Sequence, residues 1–238
     1  MHYTIITASN RGNENVERIK KQLKGYTYVD DIEFVDARAL GKEKTYELLK
    51  EKGIKIKWSP YDGRKSGPLL GELGVWLSYI NVLEYFAYKN IDEFIVFEDD
   101  AYLNRSFKKD VETLKAQLPH NNWDFLSLFY DYGAHKDLDH NIETKKSLYG
   151  ANDVHKAINQ YAGAVGTLFS RRGAAKLLIK ALKEGIEYTI DCELFEHSRS
   201  KKYLGYSIRP TSEIAPISQR SLSLYTSTID PGNTRHGG

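Results

Sequence analysis

The chain has almost nothing with which to cross-link itself: its single cysteine, Cys192, stands alone among 238 residues. That excludes an intrachain disulfide framework and sets the expectation of an intracellular, reducing compartment. Long apolar runs are also missing, with no window near the roughly eighteen uninterrupted apolar residues of a membrane span. The opening Met1-His2-Tyr3 lacks the basic and then apolar stretch of a signal peptide. Any membrane role is therefore expected to be peripheral. Nor is there a dominant charge: 34 Lys and Arg stand against 32 Asp and Glu, a formal charge of +2, which argues against a protein built chiefly to coat nucleic acid. No break in composition divides the chain, so residues 1–238 are expected to form one domain.

What is present is an alternation of apolar runs with helical patterns. Tyr3 to Thr7 reads as a first strand, followed by a polar turn and a helix with Val16, Ile19 and Leu23 on one face and Gly25 as its stop. Ile32 to Val35 reads as a second strand ending at Asp36, Lys42 to Lys52 as a charged helix, and Ile54 to Trp58 as an edge strand. A loop holding two prolines, two glycines, Arg64 and Lys65 leads to a long helix from Leu69. Leu73, Trp76, Leu77, Ile80, Leu83 and Phe86 form its stripe, and Gly71 and Gly74 suggest close backbone packing near Glu72 and Ser78.

Further strands are expected at Phe94 to Phe97, Phe125 to Phe129, Tyr161 to Ser170 and Tyr203 to Ile208. Helices are expected at Lys108 to Leu118 and at Arg171 to Glu184, the latter capped by Ser170, with Asp191-Cys192-Glu193 opening another. The stretch 134–160 is polar and aperiodic, and its histidines have no metal-ligand spacing. The fold class is α/β, with a less regular C-terminal third.

The chemistry concentrates in Phe97-Glu98-Asp99-Asp100-Ala101-Tyr102-Leu103, where an apolar strand delivers three carboxylates at its carboxyl end. In open α/β sheets ligands gather outside the carboxyl ends of strands, and clustered carboxylates suit a hard cation that also holds a diphosphate. Taken alone, the heptad reads equally as a solvated acidic turn.

Three ordered segments together resemble glycosyltransferase family 25, which includes lipooligosaccharide-type and procollagen galactosyltransferases. Gly71-Glu72-Leu73-Gly74-Val75-Trp76-Leu77-Ser78 resembles that family's GEIG-x-x-x-SH helix, with Tyr79 where histidine is usual. Ile95 to Asp100 resembles its strand ending in EDD, a local form of the DXD signature. The third segment, Gly166 to Leu178 followed by Ile190-Asp191, resembles its later S-x-x-GA-x-x-L-L segment and aspartate, with Phe169 near a usual tyrosine. The resemblance runs from about Tyr3 to Asp191.

This resemblance implies a GT-A-like, Rossmann-type domain with a mixed central sheet. Residues 1–130 would form the nucleotide-sugar half, and 131–238 the acceptor side and tail. It further implies a metal-dependent, inverting transfer of a hexose, galactose or glucose, from a UDP-sugar with Mn²⁺ or Mg²⁺. Asp100 and Glu98 would face the cation. Thr7, Arg11, Asp36, Glu72, Ser78, Glu98 and Asp99 would serve the donor, Arg64 and Lys65 being alternatives to Arg11 at the diphosphate. Asp191 is the first expectation for the general base, followed by Glu193 and Asp131.

The expected acceptor is a glycan or lipid-linked oligosaccharide in lipopolysaccharide-type biosynthesis, with a protein or nucleic acid left open. The expected place is the cytoplasm, peripherally at the inner membrane face if membrane-associated. A metal-dependent phosphoesterase or nuclease, and a non-catalytic carbohydrate-binding relative, are the alternatives.

Overall fold

The strand that ends in the acidic triplet lies inside the sheet, and its side chains explain why. Phe94, Ile95, Val96 and Phe97 are all fully buried. Successive side chains of a strand point to opposite faces, and here Phe94 and Val96 enter one hydrophobic cluster while Ile95 and Phe97 enter the other. A strand apolar on both faces needs cover on both faces.

A computed structural model describes residues 1–7, 14–30, 32–58, 67–119, 122–129, 154–156, 164–208, 214 and 216–218. In chain order these give β1 (His2–Ile6), α1 (Glu14–Gln22), β2 (Thr27–Tyr28), α2 (Ala37–Leu40), α3 (Lys42–Glu51), α4 (Leu70–Tyr88) and β3 (Glu93–Glu98). There follow β4 (Tyr102–Leu103), α5 (Phe107–Lys115), β5 (Phe125–Ser127), β6 (Val154–Lys156) and β7 (Gly166–Ser170). The last elements are α6 (Arg171–Lys183), α7 (Ile190–Arg199), β8 (Gly205–Ile208) and β9 (Ile217–Ser218).

The central sheet runs β2-β1-β3-β7-β5-β8-β6, and β4 pairs with β9 in a small second sheet. Strands β2, β1 and β3 are parallel, β7 is antiparallel to both β3 and β5, and β5 is parallel to β8. The sheet is therefore mixed, as the family resemblance implied. One face is covered by α4, α6 and α7, the other by α1 and α5. Helix α4 is buried nearly all round, from Leu73 through Trp76 and Tyr79 to Phe86, so it behaves as a core helix rather than a surface one.

Two glycines allow backbones to meet. A Cβ on Gly74 would stand 2.8 Å from the Val35 carbonyl oxygen, which is the close packing anticipated at the start of α4. A Cβ on Gly173 would stand 1.9 Å from the Asp124 carbonyl oxygen, so α6 can start against β5 only without a side chain there.

Two expected strands are corrected. Residues 32–35 form no strand; the one beside β1 is the short β2, and Ile32 is instead a buried anchor of the following segment. Apolar content there reflected burial rather than pairing. Residues 54–58 make only an isolated bridge between Ile56 and Ile186.

Candidate active site

Parallel pairing brings the ends of β1 and β3 side by side, with Ile6 opposite Glu98. The ladder runs one step further, because the Asp99 N–H donates to the Ile6 carbonyl at 3.0 Å. The chain then turns back at once, the Ala101 N–H donating to the Glu98 carbonyl at 3.0 Å. This tight turn divides the triplet. Asp99 is buried, 3% exposed, and accepts a hydrogen bond from Thr7 Oγ1 at 2.9 Å. Glu98 and Asp100 are half-buried on the rim.

Arg18 braces the turn from α1. One of its terminal guanidinium nitrogens donates to the Ala101 carbonyl at 2.9 Å, and the guanidinium lies 3.7 Å over the Tyr102 ring. On the other side, the Val165 carbonyl accepts the Glu98 N–H at 3.1 Å.

Asp191 opens α7, half-buried, with its carboxylate accepting the Cys192 N–H at 2.9 Å. The approach to this helix is fixed by α4, since the Trp76 indole N–H donates to the Tyr188 carbonyl at 2.7 Å. Tyr79, three residues further along α4, links the two carboxylate positions electrostatically. Burial, and then the charges of Glu98 and Asp191, hold its phenol well above the usual range, while a Thr167 side-chain hydrogen bond pulls the other way. One phenol thus senses both the β3 end and the start of α7.

The model of glycosyltransferase family 25 (LPS biosynthesis protein) matches residues 7–194, which take in Thr7, α4, the β3 turn and Asp191 while β1 lies just ahead of the matched span. The chain belongs to glycosyltransferase family 25. Among its relatives are procollagen galactosyltransferase 1-A of Xenopus laevis, 32% identical over 167 residues, and 1-B of the same organism, 31% identical over 169 residues. In each case 68% of this chain is aligned, and it spans only 25% of the relative's length. Mouse xyloside xylosyltransferase 1 aligns with 85% of this chain and 63% of its own at 11% identity and a TM-score of 0.30, too distant to carry an argument.

Within this family-25 chain, several residues expected at the donor are engaged in holding the scaffold. Asp36 caps α2, accepting from the Arg38 and Ala39 N–H groups at 3.1 Å each. Glu72 accepts the Leu69 N–H at 2.8 Å at the start of α4. Ser78 accepts the Val35 N–H and donates to the Gly74 carbonyl, both at 2.9 Å. These contacts explain the GELG-type helix as a packing motif: glycine lets the 35–37 segment approach, and serine ties it down.

Glu193, the second choice for the base, is fully buried and ion-paired with Lys180 at 2.6 Å. Such a carboxylate has its charge compensated away from the rim. Arg11, Arg64, Lys65 and Asp131 lie outside the described residues.

The reading of the sequence missed three polar anchors. Lys180, 6% exposed, also donates to the Gly185 carbonyl at 2.9 Å. The signal was available, because a lysine sits within the apolar stripe of α6. Asp124, with no exposed side chain, accepts from Arg172, Lys176 and the Leu204 N–H at 2.7, 2.7 and 2.8 Å. Burial pushes its carboxyl up, but the Lys176, Leu204 and Arg172 hydrogen bonds together hold it below the ordinary range. Tyr79 stands out in the sequence only as a departure from the family pattern.

Among the described residues no three His, Cys, Asp or Glu side chains gather into a ready-made metal cage. A smaller set still fits Mg²⁺ or Mn²⁺ in a nucleotide complex, which uses one or two carboxylates and takes its other ligands from phosphates and water. The rim carboxylates Glu98 and Asp100 are hard oxygen donors of that kind. A cavity of about 940 Å³ lies elsewhere, lined by His2, Asp92, Lys115, Trp123, Ser170 and Arg171 among others. It sits at the amino ends of β1 and β3, opposite the end where an open α/β sheet binds its ligand.

Proposed function

We propose that the protein transfers a hexose from a UDP-sugar to an acceptor hydroxyl with inversion, assisted by Mn²⁺ or Mg²⁺. The observation that carries the reading is the β3 turn of this family-25 chain, which buries Asp99 against Thr7 and leaves Glu98 and Asp100 on the rim. Asp100 is the metal-facing carboxylate, and Glu98 holds the donor beside it. When bound, the cation offsets the charge that develops on the departing diphosphate. Asp191 takes the proton of the acceptor hydroxyl as its oxygen attacks the anomeric carbon, and the bond from that carbon to the diphosphate oxygen breaks, UDP leaving with the electron pair.

Two relatives are named galactosyltransferases, which supports galactose as the first sugar to test. The acceptor is proposed to be a glycan or a lipid-linked oligosaccharide. No helix among the described residues is long and apolar enough to cross a membrane; a lipid-linked acceptor is proposed to be met peripherally, at the cytoplasmic membrane face.

Thermal denaturation against UDP-galactose, UDP-glucose and GDP-mannose, each with and without Mn²⁺, tests the reading. Stabilisation by a UDP-sugar only with Mn²⁺ is the expected result, reaching about 2.7 kcal/mol at a hundredfold excess over Kd. Release of inorganic phosphate from simple phosphoesters, with no response to any nucleotide sugar, would favour the hydrolase alternative instead.

A further inference from the structure

Tyr79 carries a hydroxyl that packing does not require. Its ring meets Phe169 edge-on at 6.4 Å and 70°, and Phe169, Phe94 and Phe86 continue the aromatic wall at 5.6 and 3.8 Å. A phenylalanine would fill the same space with no hydroxyl to desolvate. The residue is fully buried, and the hydroxyl donates to the Ala164 carbonyl at 3.3 Å.

The next residue, Val165, accepts the Glu98 N–H at 3.1 Å, and Gly166 after it pairs with Phe97. Two hydrogen bonds therefore connect the phenol to the backbone of Glu98. The hydroxyl is the donor in its contact with Ala164, with the carbonyl oxygen accepting. Trp76, on the same helix, holds the Tyr188 carbonyl just ahead of Asp191. One stretch of α4 thus supports both the donor-side turn and the approach to the proposed base.

We propose that Tyr79 is a positioning residue for the transfer: its hydroxyl fixes the Ala164–Val165 turn and, through it, the placement of Glu98 against the nucleotide sugar. This rests on the transferase reading above.

The test is Tyr79→Phe, which keeps the ring and removes only the hydroxyl. The first readout is hydrogen–deuterium exchange, which needs no substrate. The Glu98 amide is expected to exchange about tenfold faster, as losing one net hydrogen bond implies, while the Ile95 and Val96 amides keep their protection. The second readout is steady-state kinetics with Mn²⁺. The donor KM is expected to rise about tenfold while the acceptor KM holds, because misplacement acts on the group that binds the donor.

Unchanged Glu98 exchange, or an unchanged donor KM in an active enzyme, overturns the proposal. So does a general loosening in which Ile95 and Val96 also lose protection and both KM values rise alike. A wild-type protein that turns over no UDP-hexose counts against the transferase reading rather than this one. Calorimetry with Mn²⁺ and UDP then decides the role of Tyr79: tenfold weaker binding by the variant supports it, and equal affinity overturns it.

Discussion

Removing the Lys180 ammonium is expected to be among the most damaging single changes to the scaffold. Lys180 and Glu193 are 6% and 0% exposed and 2.6 Å apart, one on α6 and the other in the first turn of α7. At that distance, the gross attraction is about 6 kcal/mol for an effective dielectric of about 20. Desolvating the two ions costs several kcal/mol each, so the intact pair is worth little net. The asymmetry appears when one partner goes. Lys180→Met leaves the Glu193 charge buried without its cation and the Gly185 carbonyl without its donor, a loss of about 3–5 kcal/mol.

That is a large share of the roughly 5–15 kcal/mol by which a domain is stable. The double variant Lys180→Met, Glu193→Leu should recover the part due to the stranded charge, falling short by about 1–3 kcal/mol for the unsatisfied carbonyl. Urea denaturation followed by circular dichroism measures both changes as a shift in midpoint at constant slope. Additive losses in the double variant, or a loss below about 1 kcal/mol in Lys180→Met, would refute the buried-pair reasoning.

Other outcomes follow from the same structure. Because the Asp124 carboxyl is held below its ordinary range, its contribution is fully present above the unfolded carboxylate pKa and lost as pH falls through the lowered folded value. Asp124→Asn should cost about 2 kcal/mol near neutrality, less than a fully enclosed pair since Arg172 and Lys176 are 41% and 37% exposed. The wild-type advantage should shrink on acidification, and acid titration of both proteins by fluorescence checks this. Asp100→Asn should remove Mn²⁺-dependent transfer while leaving the circular dichroism spectrum intact; full metal-dependent activity would displace Asp100 from the metal. Asp191→Asn should preserve UDP binding in calorimetry and lower kcat by about 10²–10⁴-fold, and an unaffected kcat would move the base elsewhere.

Much of this protein was legible without coordinates. The Phe94–Phe97 run reads as an interior strand because it is apolar on both faces, and the triplet marks its end because a carboxylate is buried only with hydrogen-bond partners, as Asp99 is with Thr7. Helices α1, α3, α4, α5 and α6 followed from periodicity and from their stops at Gly25, Gly53 and Gly185, each of which adopts a positive φ. The family was legible because its motifs depend on local spacing along one chain.

Tertiary structure alone decided which polar groups are buried against distant partners and which are left half-exposed. Asp36 and Glu72 accept from backbone N–H groups two or three residues away, but Glu193 carries the same carboxylate as Glu98, Asp100 and Asp191, and no local pattern separates it from them. The difference lies in partners brought from far along the chain: Val35 to Ser78, Lys180 to Glu193, Thr7 to Asp99. A carboxylate's role is set by burial and by the charges and donors around it, and those are properties of packing, which the order of residues specifies only once the chain has folded.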